Sequence, residues 1–168
     1  VASAHLLTEK LIRESGLTYT ILKHALYAEA LPMFMGDQVL NTGVIFLPAG
    51  DGKASFTSRE DMALAGVAVL TGEGHENKTY ELTYPHVWDY QEAVDMVSRV
   101  SGRPLAYSPV SDEELVQIMQ QSGAPEQAIQ MAVGMNRSLR DGMLSKATPD
   151  LERLLGRPVT SLEALVRG

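Results

Sequence analysis

Residues 5–30 read HLLTEKLIRESGLTYTILKHALYAEA, and the parsing of this stretch decides the fold. Ala4, Leu7, Leu11, Ile12 and Ser15 recur at helical spacing and define one face, with Glu9/Arg13 and Lys10/Glu14 pairing on the expected solvent side. Gly16 supplies a helix stop. Leu17–Lys23 is short and rich in β-branched and aromatic residues, which predicts a buried strand. That strand runs directly into Lys23-His24-Ala25-Leu26-Tyr27. In open α/β sheets ligands lie beyond the carboxyl ends of the strands, so His24 to Tyr27 are the first candidates for chemistry.

Composition bounds what such a fold can do. A chain of 168 residues with 45% hydrophobic and 21% charged residues can bury a core as one globular domain. The net charge is −7, with acids and bases interleaved, so nucleic acid and anionic membranes are not expected partners. The longest apolar-rich run, Met62–Leu70, is too short to span a bilayer. Zero cysteines exclude disulfides, thiolate metal sites and a cysteine nucleophile, and make the cytoplasm the expected compartment.

Working outward, Tyr27–Asp37 reads as a short helical segment broken by Pro32. Val39–Thr57 reads as a hairpin, with Val44–Phe46 and Ala54–Thr57 as arms and the turn at Pro48–Gly52. Ser58-Arg59-Glu60-Asp61 has the spacing of a capping box and opens a helix to about Leu70. That helix is apolar all round and contains Ala63, Ala65, Gly66 and Ala68, so close neighbours are expected around it. Lys78–Thr83 is a second strand. Asp89–Glu92 and Ser111–Glu114 are further capping boxes, the first helix ending at Gly102 and the second at Ser122. Leu105–Ser108 is strand-like, Pro125 starts a helix to about Gly142, and Pro149–Leu155 and Thr160–Val166 are short helices.

Strands and helices alternate early and helices dominate later. This predicts an α/β chain, the C-terminal part of a Rossmann-type doubly wound sheet followed by a small α-rich substrate lobe. Residues 1–38 and 58–88 would belong to the sheet domain, and 39–57 and 89–168 to the lobe. No glycine-rich dinucleotide fingerprint follows any strand. Only Leu17–Lys23 and Lys78–Thr83 suit a parallel sheet, too few to be covered on both faces. With a start at Val-Ala-Ser-Ala, the chain reads as a segment of a longer protein.

Several fragments carry a family resemblance. Glu9-Lys10, Ser15-Gly16-Leu17-Thr18-Tyr19-Thr20-Ile21-Leu22-Lys23 and Tyr27-Ala28-Glu29 resemble a run found in NmrA-like atypical short-chain dehydrogenases, in particular their NAD(P)H:quinone oxidoreductases. Ser58–Asp61, His75–Leu82 and Val100–Pro104 continue the likeness in the same order. It covers nearly the whole chain and only the family's C-terminal half. The resemblance implies a nicotinamide dinucleotide, NADPH or NADH, and a quinone-like or other conjugated carbonyl acceptor. It also implies a missing N-terminal half carrying the phosphate-binding motif, and it allows a homodimer. The alternative is a non-catalytic NmrA-like redox sensor; a free-standing interaction domain is a third reading.

The resemblance also sorts the candidate residues. His24 and Tyr27 are the catalytic candidates: His24 can donate to an amide or carbonyl, and Tyr27 offers a hydroxyl and a ring. His5, His24, Ala25, Leu26 and Tyr27 are the expected cofactor-side residues. Relatives often carry Arg-Asn where this chain has Lys23-His24, and Asn where it has Ala30 after Glu29. Short-chain dehydrogenases of the usual type place a Tyr-x-x-x-Lys pair on the first helix here. His5 then stands at the lysine position and Val1 at the tyrosine position, so a tyrosine acid from this helix is not expected. Glu29, Phe46 and Phe56 are expected to line the substrate pocket, although the two phenylalanines could equally pack together across the hairpin. His75 and His86 lack metal-ligand spacing, and no metal is expected. Asp61 is accounted for by the helix dipole. Met119, Met131, Met135 and Met143 read as core filling or as a deformable lid.

Overall fold

In a computed structural model of the chain, residues 2–35 and 39–167 are described. Helix α1 (Ala2–Glu14) stops at Gly16, whose φ of +74° is the left-handed turn a glycine permits. Strand β1 (Thr20–His24) follows and pairs in parallel with β6 (Lys78–Leu82), in register from Thr20↔Lys78 to His24↔Leu82. Helix α4 (Arg59–Thr71) and helix α8 (Asp150–Leu155) pack beside them. Met62, Ala65, Leu82, Leu151 and Val159 form the buried core of this layer. Both sequence-predicted strands and their parallel relation are present.

A second, larger core lies around Leu31, Ile45, Phe56, Val94, Leu115 and Leu139. Three short ladders feed it. Strand β2 (Leu26–Tyr27) pairs in parallel with β5 (Phe56–Thr57), and β3 (Val44–Leu47) in parallel with β8 (Ala106–Pro109). Strand β4 (Lys53–Ala54) runs antiparallel to β7 (Trp88–Asp89). A 3₁₀ turn at Ala28–Ala30 and helices α2 (Leu31–Met35) and α3 (Val39–Thr42) lead into β3. Helices α5 (Tyr90–Ser101), α6 (Asp112–Gln121), α7 (Glu126–Arg140) and α9 (Leu162–Arg167) surround the ladders. The expected helical segment up to Asp37 runs, in its last residues, outside the described chain.

The helix punctuation follows the local code. Asp89 with Glu92 and Ser111 with Glu114 make complete capping boxes, and Gly102 closes α5 at φ +68°. The Ser58 hydroxyl caps α4 by accepting from Asp61 N at 3.0 Å. The reciprocal half of that expected box is not made. The Asp61 carboxylate is fully buried and instead accepts from Arg157 Nη2 at 2.6 Å and from Thr160 N at 2.7 Å, fastening the α8–α9 connection to α4. Burial pushes the Asp61 carboxyl up, but the Thr160 amide and the Arg157 guanidinium outweigh it and hold the group below its ordinary value.

Three sequence expectations are corrected. First, Val39–Thr57 is no hairpin: β3, β4 and β5 pair with β8, β7 and β2. The turn between the supposed arms sits on the end of α7. A Cβ on Gly52 would stand 2.7 Å from the Leu139 carbonyl carbon, and Arg140 donates to Pro48 O. Phe46 and Phe56 therefore lie on different ladders instead of facing each other.

Second, α1 docks by its charged side. Glu9 pairs with Lys23 at 2.9 Å, and Arg13 donates to Thr79 Oγ1 at 2.5 Å and to Tyr19 at 2.8 Å. Leu6, Leu7 and Leu11 are 65%, 57% and 58% exposed. The cause is the sheet face below, where Lys23 and Glu81 stand opposite in register beside Thr79 and attract charge. Third, α4 buries only a narrow stripe, Asp61, Met62 and Ala65, leaving Leu64, Val67 and Leu70 exposed and open space at Gly66. Val69 and Leu70 border an open cleft with Thr18, Tyr19, Thr20 and Leu22.

Candidate functional site

The His24–Tyr27 segment crosses from one core to the other within two residues. The Ala25 amide donates to Leu82 O at 3.2 Å, closing the β1–β6 ladder, and the Leu26 amide donates to Ser55 O at 3.3 Å, entering the β2–β5 ladder. Ala25 packs on the first core and Leu26 on the second. Of the four residues, His24 and Tyr27 are the ones left exposed.

His24, last in β1, is exposed and meets the Tyr27 ring edge-on, with centroids 6.4 Å apart and planes at 78°. Partial desolvation lowers the imidazole pKa from its ordinary value and so favours the neutral form, in which one nitrogen donates and one accepts. Tyr27 in turn lies under Arg59, whose guanidinium carbon is 4.7 Å from the ring centroid. Glu29 closes the group by accepting from Arg59 N at 2.9 Å. The first turn of α4 is thus tied to the loop through both the backbone and the side chain of Arg59.

Thr57 stands opposite Tyr27 in register, fully buried, and its Oγ1 has no hydrogen-bond partner. A buried hydroxyl left unpaired costs about 1–3 kcal/mol. Thr57 and Arg59 were not singled out in the sequence. Their importance comes from β5 delivering them beside Tyr27, and the signals near enough to flag the spot were the Ser58 cap and the family likeness of Ser58–Asp61.

The structure therefore brings His24, Ala25, Leu26, Tyr27 and Glu29 together. Phe56 adjoins the segment, opposite Leu26 in the β2–β5 register, and the remaining candidates lie elsewhere. Phe56 is 4% exposed in the second core, with Trp88 its ring neighbour at 6.4 Å. Phe46 is half-buried on β3, opposite Ser108. His5 is exposed on α1, and Val1 lies outside the described residues. His75 is tied through Nδ1 to the Tyr80 hydroxyl at 2.8 Å, and His86 meets Trp88 edge-on at 5.0 Å. Met119 packs on the second core, whereas Met131 and Met143 are exposed. Among the described residues no cluster of His, Cys, Asp and Glu could hold a metal, and no helix is long and apolar enough to cross a membrane.

Known proteins share this fold. No family model matches the chain. Quinone oxidoreductase 2 of Escherichia coli is 30% identical over 162 residues, which are 96% of this chain and 56% of that protein. An NmrA-like family domain-containing oxidoreductase of Aspergillus flavus is 30% identical over 169 residues, 98% of this chain and 54% of that protein. Among solved structures, the triphenylmethane reductase of a Citrobacter species complexed with NADP(H) superposes with a TM-score of 0.88 at 35% identity, covering 99% of this chain and 58% of that one. The chain thus spans little more than half the length of the relatives it matches. In sequence and in fold it belongs to the NmrA-like, atypical short-chain dehydrogenase/reductase family.

Proposed function

We propose that this chain is the nicotinamide-side and acceptor-side portion of an NAD(P)H-dependent oxidoreductase, which transfers hydride to a quinone-like or other conjugated carbonyl acceptor. The observation that carries the reading is the His24–Tyr27 contact beyond the carboxyl end of β1, in a chain 35% identical to a reductase complexed with NADP(H). In this reading residues 1–38 and 58–88 complete a dinucleotide-binding domain and 39–57 and 89–168 form the acceptor lobe, with α8 packed back on the sheet. An N-terminal half of the same protein would pair with the free edge of β1 and cover the leucines of α1 and α4. The cysteine-free, acidic composition suits a cytoplasmic enzyme.

The residues present fit the nicotinamide end of a dinucleotide and not its phosphates. The loop offers the His24 and Tyr27 side chains, and Thr57 Oγ1, opposite Tyr27 in register, is an unused buried hydrogen-bonding group. The pyrophosphate needs a glycine-rich strand–turn–helix, which these 168 residues do not contain. When bound, the dinucleotide supplies the hydride. His24 then orients a carbonyl or amide oxygen through an N–H bond, and Tyr27 offers its hydroxyl for a second hydrogen bond and its ring as a flat wall fixed by Arg59. A quinone tolerates the lack of a tyrosine acid on α1, because reduction gives a stabilised phenolate-like oxygen that water or a histidine protonates.

The test is NADPH oxidation by the full-length protein with a benzoquinone acceptor. Turnover that falls in His24→Ala and Tyr27→Phe supports the reading. Dinucleotide binding with no turnover of any quinone overturns it in favour of the sensor.

A further inference from the structure

A cleft of ≈ 460 Å³, which shares no lining residue with the His24–Tyr27 segment, lies where residues 84–88 turn across α5 and the start of α9. Its size falls in the range of about 300–1,000 Å³ usual for small-molecule sites. One wall is aromatic. The Trp88 ring is half-buried, with Tyr84 at 4.7 Å and 44° and His86 edge-on at 5.0 Å and 85°. Tyr84 is held by its own amide, which donates to the buried Ser55 Oγ at 2.8 Å, so the wall is anchored to the second core.

The opposite wall is one face of α5, carrying Glu92, Asp95, Met96 and Arg99, together with Glu163 at the start of α9. Three carboxylates thus face one guanidinium, and Arg99 is already engaged by Glu163. Glu92 is 3.8 Å from His86 Nε2, and its side chain accepts from Asp89 N in the capping box. Asp95 accepts only an uncharged donor, Gln91 Nε2, at 2.7 Å. Burial, with Glu152 and Glu163 nearby, also pushes the Tyr84 hydroxyl above its ordinary pKa, so the negative field reaches the aromatic wall.

We infer that this cleft binds a small organic cation, aromatic or quaternary, seated against Trp88 with its charge beside Glu92 and Asp95. The faces of aromatic rings attract cations, indole most strongly, and the carboxylates reinforce the same sign. A neutral aromatic compound gains only the wall, and an anion is repelled by the rim. None of the cleft's side chains has an individual role in the hydride chemistry proposed above, so the two readings are tested separately.

Trp88 is the only tryptophan in the chain, so it reports on its own site. The 168-residue chain is titrated with benzyltrimethylammonium, benzyl alcohol and benzoate while Trp88 fluorescence is followed, with calorimetry in parallel. The expected result is a saturable change with benzyltrimethylammonium, at an affinity about tenfold above that for benzyl alcohol, and no binding of benzoate. Glu92→Gln/Asp95→Asn is nearly isosteric, and glutamine also serves in a capping box, so the variant keeps the fold; an unchanged melting temperature verifies this. In that variant the preference for the cation disappears. No saturable response, equal affinity for the cationic and neutral probes, or an undiminished cation preference in the folded variant each overturn the inference.

Discussion

Arg59 holds Tyr27 from above, its guanidinium carbon 4.7 Å from the ring centroid, while the Arg59 amide is held by Glu29 at 2.9 Å. One residue at the start of α4 thus fixes both the ring and the backbone leading away from it. Arg59→Gln should therefore loosen the ring while sparing the helix cap, at a cost of about 0.5–1 kcal/mol. Arg59→Lys should recover part of this loss. Urea denaturation of the three proteins measures it, and identical midpoints would show that the contact contributes nothing.

In the full-length protein, His24→Ala and Tyr27→Phe should each lower kcat/KM by about two- to tenfold, the kinetic size of one hydrogen bond. Melting temperatures should stay close to wild type, since both side chains are exposed beyond a strand end. Unchanged kinetics in both variants would remove the loop from the site.

Asp61 sets a pH dependence. Its carboxyl binds a proton more weakly in the folded chain than in the unfolded one, so its contribution is complete above the unfolded value, about 3.9, and fades as pH falls through the folded value. Asp61→Asn should cost about 2–3 kcal/mol at pH 7, because the Thr160 amide and Arg157 lose a charged acceptor. That gap should narrow below about pH 4 in melting curves of the two proteins. A gap constant from pH 7 to 2 would contradict the assignment.

Two glycines should respond oppositely. Gly66 has open space around its missing Cβ, so Gly66→Ala in this chain should stabilise by about 0.5–1 kcal/mol through helix propensity alone. Gly52→Ala would press a methyl group against the Leu139 backbone and should destabilise by about 1–3 kcal/mol. In a protein that includes an N-terminal half covering α4, the Gly66 gain should vanish.

The 168 residues alone should bind NADPH too weakly to measure, because no glycine-rich turn is available for the pyrophosphate. Adding a sheet-forming N-terminal half, on the order of 100 residues for several βαβ units, should restore binding. Stoichiometric NADPH binding by the chain alone, followed by calorimetry, would refute this.

What could be read from the sequence was what is encoded within a few residues. The Asp89/Glu92 and Ser111/Glu114 boxes and the Gly102 stop are local, and each is where the spacing put it. Strands β1 and β6 were equally legible as short runs of strand-forming residues. The false hairpin arose because Val44–Leu47 pairs with Ala106–Pro109, far along the chain, and adjacency was the stronger local signal. The orientation of α1 depends on Lys23, Thr79 and Glu81 in the sheet beneath it, which no periodicity within α1 reveals. Of the site, the His24–Tyr27 loop was visible as polar residues at a strand end. Arg59 and Thr57 were not, since their part is set by the β2–β5 pairing.

The single-residue step from Ala25 to Leu26 has a mechanical consequence. Their neighbouring amides are fastened to separate cores, Ala25 to Leu82 O and Leu26 to Ser55 O, at 3.2 and 3.3 Å. Rocking of one core against the other therefore strains this one peptide link, together with the Tyr84–Ser55 hydrogen bond that also joins the two cores. Amide hydrogen exchange at these two positions is a gauge of that motion: a hinge opening exposes both together, whereas fraying of either ladder exposes one alone.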